Sequence, residues 1–293
     1  TSGTLTITTG AWTVSGNWDS SGASSVFTQG TGIVTFDATA TITLLSTDNT
    51  FDDLTISAGT VTLATAVVVT NALTISGGTL VKGTNAITSA GSLTMSGGDL
   101  TSTSGAVTVT GAVNISSTAS AIDFGSETWT VSGTWTNAST DGTVWEAGTG
   151  TVTFDSATGG TMTFAGANLA EAEFSSVTFN STGALSQTFT MATRGLSWSG
   201  TLTITGDTVL AKATFTLGAE ASGALTVGGA GTNALTSTSG AVTVTTVSIA
   251  GTVDYIDLGS EAWSVTGTWT NSTTSASWDA GTGPVTFNSA TGG

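Results

Sequence analysis

The side chains with the greatest chemical reach in this sequence are carboxylates. The string Asp-x-Gly-Ser-Glu occurs twice, at Asp123–Glu127 and Asp257–Glu261, each time just ahead of a Trp. Two carboxylates, a Ser hydroxyl and the carbonyls of a glycine turn are hard oxygen donors. They suit Ca²⁺, which takes six to eight such ligands. The spacing is neither that of an EF-hand nor that of the nine-residue calcium repeats. Asp123, Glu127, Asp257 and Glu261 are therefore read in two ways: as Ca²⁺ ligands, or as solvated acids on a plain turn.

Catalysis needs a base, a nucleophile or a metal with a placed partner. The chain has no His and no Cys, which removes the common triads, thiolate chemistry and Zn sites of the usual kind. Its basic residues are Lys82, Arg194 and Lys212, and none recurs in the repeats. The acid pairs Asp52-Asp53 and Glu171 with Glu173 stand without a partner of opposite charge. The sequence is read as that of a protein that is not an enzyme.

Aromatic residues and sequons also repeat. Trp12 and Trp18, Trp129 and Trp135, and Trp263 and Trp269 form three equivalent pairs, followed by Phe27, Trp145 and Trp278. If Trp129 to Trp135 is one strand, both indoles share parity with Val131 and face the core. The other reading is an exposed stripe that stacks on sugar rings or on a neighbouring subunit. Asn-x-Ser/Thr sequons fall at Asn114, Asn137, Asn180 and Asn271, a number that the Ser and Thr content alone produces.

The elements that carry these groups follow from composition and period. Thr (68) and Ser (37) together make over a third of the 293 residues, whereas charged residues are 8%. A hydrophobic share of 38% with nine Trp is enough for a core, so disorder is set aside. The net charge of −16 excludes nucleic acid as a partner, and no apolar run is long enough to insert in a membrane as a helix. With no basic and apolar leader at Thr1, the sequence reads as a mature or excised segment. Apolar residues alternate with Thr, as in Thr4-Leu5-Thr6-Ile7-Thr8 and Thr201-Leu202-Thr203-Ile204-Thr205, between Gly-rich turns. That is the pattern of short half-buried strands.

Two repeats organise the strands. LTISAGTVTL begins at Leu54, LTISGGTLVK at Leu73 and LTMSGGDLTS at Leu93, with VNISS from Val113. Val177, Leu196 and Phe215 are expected to continue the repeat at a 19-residue spacing. A longer unit appears as IDFGSETWTVSGTWTN…GTVTFDSATGG over 122–160, again over 256–293, and in divergent form over 12–36. Units of about 20 residues cannot close a core alone and must stack. The expected fold is all-β, a parallel β-solenoid (β-helix) of rungs of roughly 20 residues, with an array of β-sandwich domains as the alternative. Residues 1–293 are read as one continuous solenoid. Its internal modules are approximately 1–36 (partial), 37–154 and 155–287, and 288–293 begins a further module.

FDDLTISAGTVTL (51–63), ALTISGGTL (72–80), WTVSGTWTN (129–137) and GTVTFDSATGG (150–160) resemble repeats of large microbial surface proteins. These are adhesin-like or filament-forming β-solenoids, similar to filamentous-haemagglutinin and autotransporter passenger repeats. The resemblance implies a structural protein, outside the cell or on its surface. Such a protein would be a subunit or segment of a filament, sheath or stalk. The chain opens on the strand Thr4, Leu5, Thr6, Ile7, Thr8 and finishes on Val285, Thr286, Phe287, with no capping segment evident at either end. Uncapped strand edges make a second copy of the chain the expected partner, end to end. An adhesin that holds glycans or cell surfaces is the alternative function. Ice binding, suggested by Thr-x-Thr alternation, is disfavoured because Ser, Asp and Asn interrupt the Thr ladders.

Overall fold

The structure is a computed structural model of the chain. It describes residues 3–45, 50–89, 91–116, 120–139, 145–164, 174–181, 187–192, 198–206, 208–212, 224–227, 233–237, 242–250, 253–260, 262–273 and 277–288. Every regular element among these is a β-strand, and every strand pairing is parallel. The fold is a β-solenoid. The chain falls into two compact units: Thr1–Val131 with Asn137–Gly150, and Ser132–Thr136 with Thr151–Gly293.

In the first unit the chain winds through three faces per turn. One sheet stacks Ala11–Val14, Ile33–Phe36, Asp53–Ile56, Ala72–Ile75, Ser92–Met95 and Val113–Ile115. The next runs from Trp18–Asp19 through Ala40–Thr43, Thr60–Leu63, Thr79–Gly83, Asp99–Ser102 and Ile122–Asp123 to Trp145–Glu146. The remaining face carries Thr50–Phe51, Val67–Val69, Ile87–Ser89, Val107–Val109 and Trp129–Val131, while Gly3–Ile7 pairs with Ser25–Gln29. The repeated Leu-Thr-Ile strings pair in register as expected. Leu54, Leu73, Leu93 and Val113 form one inward ladder, and Ile56, Ile75, Met95 and Ile115 form a second. All eight side chains are at most 1% exposed. Thr55, Thr74, Thr94 and Asn114 form the outward ladder between them.

The long repeat is not tied to a face. Within this unit Trp12 lies in the sheet of Asp53–Ile56, but its equivalent Trp129 lies in the sheet of Val67–Val69. The faces are interchangeable because each presents the same inward aliphatic surface. The turns make it possible: in Asp123-Phe-Gly125 the aspartate Oδ1 accepts the Gly125 N–H at 2.8 Å, with Gly125 at φ +59°. Gly148, at φ +60°, stacks on it one turn later so closely that a Cβ there would strike the Gly125 carbonyl.

The second unit stacks Thr151–Ser156, Ser176–Ser181, Thr201–Gly206, Ala224–Val227, Thr246–Ile249 and Trp269–Asn271 in one sheet. A second sheet holds Gly160–Phe164, Gln187–Ala192, Thr208–Lys212, Asn233–Ser237, Val253–Asp257 and Ser277–Asp279. Val242–Val244, Trp263–Val265 and Val285–Phe287 form a third. Here the expected 19-residue spacing fails. Val177 pairs with Leu202, and Leu202 with Leu225; Leu196 and Phe215 lie outside the described residues. What sets register is the match of inward side chains, Val177 and Phe179 on Leu202 and Ile204, and the extra residues go into the connections between strands.

Trp129 and Trp135 are also not on one strand. Trp129–Val131 and Trp135–Asn137 are separate strands with a corner at residues 132–134, and each indole points inward at the head of its own strand. The second unit's core is aromatic. Phe154 stacks on Phe179 at 5.1 Å between ring centroids and meets Trp135 edge-on at 5.8 Å, and none of the three is exposed. Phe154→Ala should cost about 3–5 kcal/mol, whereas outward Thr153→Ala should stay within about 0.5 kcal/mol. Urea unfolding of the two variants checks this.

Candidate functional site

Most strands have a described neighbour on each edge; Ser25–Gln29, Thr50–Phe51, Trp145–Glu146 and Val242–Val244 have one only, as do the first and last described strands, Gly3–Ile7 and Val285–Phe287. Val285–Phe287 pairs with Trp263–Val265, and no described strand lies on its other edge. Parity turns Val285 and Phe287 inward like their partners Trp263 and Val265, yet Phe287 is 58% exposed. Trp278 is 41% exposed. With Leu258, Trp269 and Val285 these rings line an apolar hollow of about 220 Å³. Trp269 sits at its centre, edge-on to Trp278 at 5.8 Å and to Phe287 at 6.3 Å. The repeat-equivalent residues show what this cluster looks like when covered: Phe154 is 0% exposed and Trp145 7%.

At the other edge Gly3–Ile7 pairs with Ser25–Gln29 alone among the described strands. Ile7 is buried, but Thr4, Leu5 and Thr6 are exposed, as is the inward-facing Trp12 of the following strand. A hollow of about 390 Å³ opens there, lined in part by Leu5, Trp18, Val26 and Phe27. Trp18 itself is buried, edge-on to Phe27 at 5.0 Å. Trp129, Trp135 and Trp263 are buried too, and Trp269 is half-buried at the C-terminal edge. Thr8 is an exposed residue just past the first strand, and Thr286 is exposed between Val285 and Phe287.

The carboxylates of the Asp-x-Gly-Ser-Glu strings do not converge. Asp123 faces outward and holds its own turn, as does Asp257, whose Oδ1 accepts the Gly259 N–H at 2.8 Å. Glu127 turns into the core, where its Oε1 accepts from the Ser102 hydroxyl and from the Trp129 indole N–H at 3.3 Å. Glu261 lies outside the described residues. Among those described, no three acids gather in a way that could hold a metal ion. The sequons fare unevenly. Asn137 is buried, with its Oδ1 accepting the Ser139 N–H at 3.0 Å. Asn180 donates to Asp155 at 3.0 Å, Asn114 is half-buried in its ladder, and Asn271 is exposed.

Glu127 has a partner that the sequence reading missed. Lys82 is fully buried with its Nζ 3.6 Å from Glu127 Oε1, and it donates to the carbonyls of Asn85, Ser104 and Gly105 at 3.0, 2.6 and 2.7 Å. One ammonium thus ties together three successive turns. Parity was the available signal, because Lys82 follows Leu80 at an inward position of Thr79–Gly83. Burial lowers the Lys82 amine from its ordinary 10.5, and the Glu127 charge offsets part of this. The unfolded chain therefore binds that proton more tightly, and through this group stability rises as pH climbs toward the unfolded value.

Comparison with family models, with curated proteins and with solved structures finds no match to this chain. For the buried pair, Lys82→Met should destabilise by about 3–5 kcal/mol, because it strands the Glu127 carboxylate and three carbonyls. The variant should also lose the alkaline rise in stability. Urea midpoints at neutral and alkaline pH check both, and an unchanged midpoint would contradict them.

Proposed function

We propose that the chain is a structural protein, a subunit or segment of an extracellular surface filament, sheath or stalk that assembles end to end. The observation that carries this reading is the aromatic edge at Trp269, Trp278 and Phe287. In the interior of the same chain the equivalent Trp135, Trp145 and Phe154 are buried. Large exposed apolar clusters mark interaction surfaces, and an open parallel strand edge is a template for another strand. Covering one Phe or Trp contributes about 1.5–3 kcal/mol, so a joint that covers three rings is worth forming. A solenoid also suits this role mechanically, since each turn is held by its neighbours and length is gained by adding turns.

The repeats' resemblance to microbial adhesin-like and filament-forming proteins favours the surface setting, and so does the Thr/Ser/Gly-rich, Lys-poor composition. The inward direction of Trp18, Trp129, Trp135 and Trp263 favours the structural reading over a glycan-stacking stripe, which calls for outward aromatics. Lys82, held by three carbonyls, reads as a structural cation rather than a catalytic one. Sedimentation velocity tests the proposal. The weight-average mass should grow with concentration, and Trp278→Ser with Phe287→Ser should hold the chain monomeric. A wild-type chain that stays monomeric at millimolar concentration would overturn it.

A further inference from the structure

Independently of how coils associate, we infer that the outward face of one sheet in the second unit is an ice-binding surface. Its ligand is the ordered water of a crystal face, not a macromolecule.

Register builds this face. Thr151–Ser156, Ser176–Ser181, Thr201–Gly206, Ala224–Val227 and Thr246–Ile249 pair without a slip, so outward residues fall into straight rows. One row is Thr151, Ser176, Thr201, Ala224 and Thr246; the next is Thr153, Thr178, Thr203, Thr226 and Ser248. Val152, Phe154, Val177, Phe179, Leu202 and Ile204 alternate with them and are buried. In the sequence, Ser, Asp and Asn interrupt the Thr ladders. The structure gathers Asp155 and Asn180 into a third row beside Thr205, which leaves the second row as Thr on four successive strands.

The two rows make a grid of hydroxyl and methyl groups. Strands lie about 4.8 Å apart, and residues two positions apart on a strand are separated by about 6.6 Å. Both spacings are close to oxygen repeats on the faces of hexagonal ice. The grid is held still, because the three central strands have neighbours on both edges and Phe154 stacks on Phe179 behind it. No side chain in either row is charged or longer than Thr, so none breaks a layer of ordered water. Among the described residues, no protein group hydrogen-bonds the hydroxyls of Thr153, Thr178, Thr203 or Thr226. Water is their partner.

The first unit shows what a single Thr row looks like. Thr35, Thr55, Thr74 and Thr94 stack on the sheet of Asp53–Ile56. The row two residues earlier reads Ile33, Asp53, Ala72 and Ser92, which breaks the hydroxyl pattern with a bulky apolar group and a charge. Two residues later, the Ser57 and Ser76 hydroxyls turn back to donate to the carbonyls of Phe36 and Ile56 at 3.1 and 3.4 Å. Only one row there is free to face water as a lattice, whereas the second unit presents two side by side.

Partition into ice tests the assignment. A dilute solution of the full chain is frozen slowly onto a cold finger, and the protein in the ice is compared with that left in the liquid. The wild type should enter the ice and should shape single ice crystals in an osmometer. Thr178→Tyr and Thr203→Tyr each raise a ring above the grid, and both should lose the partition and the shaping. Thr74→Tyr makes the same change on the single row and should retain both. Tyr suits a strand, and circular dichroism verifies that all three variants keep the fold. A wild type excluded from ice like an ordinary solute would overturn the inference. So would Thr178→Tyr and Thr203→Tyr that still enter the ice, or Thr74→Tyr that is lost from it to the same extent. None of these outcomes bears on the filament reading, which sedimentation decides separately.

Discussion

The parallel backbone ladder between successive turns is the interaction on which the rest depends. Each strand hands its N–H and C=O groups to the turn before and the turn after, so a strand is satisfied only when it has both neighbours. This ladder holds in register across stretches as different as Leu73-Thr-Ile75 on Leu54-Thr-Ile56 and Val177-Thr-Phe179 on Leu202-Thr-Ile204. Inward side chains choose the register, because a slip of one residue would turn Leu and Ile outward and Thr into the core. Turn length is then free to vary, and the long Trp repeat can settle on different faces.

Most of the fold was legible because the short repeat coincides with one turn of the coil. LTIS at Leu54 and Leu73 and LTMS at Leu93 state both the alternation and the stacking partner, and the structure follows them. Where turns lengthen, sequence spacing no longer equals the coil, as at Val177, and local parity decides the pairing instead. The Trp129–Trp135 segment failed for a related reason: Ser-Gly-Thr reads as a continuing strand, but the chain turns a corner there. The fate of Glu127 was legible only in part. Its own string looks like a surface turn, and the partner that draws it inward is 45 positions away in sequence but only two turns away in the coil.

The Lys82–Glu127 pair and the aromatic edges are two responses to the same geometry. Within the stack a buried charge is tolerated because carbonyls of adjacent turns converge on it. Gly3–Ile7 and Val285–Phe287 each pair with one strand among those described, and Leu5, Trp12, Trp278 and Phe287 are exposed there.

Amide hydrogen exchange followed by mass spectrometry, at low and high protein concentration, tests this most directly. Peptides from interior strands such as Leu73–Ile75 and Val177–Phe179 should be strongly protected at both concentrations. Peptides covering Gly3–Ile7 and Trp269–Phe287 should exchange quickly when dilute and gain protection when concentrated. Edge peptides with the same protection at both concentrations, or interior strands that exchange as fast as the edges, would contradict the account.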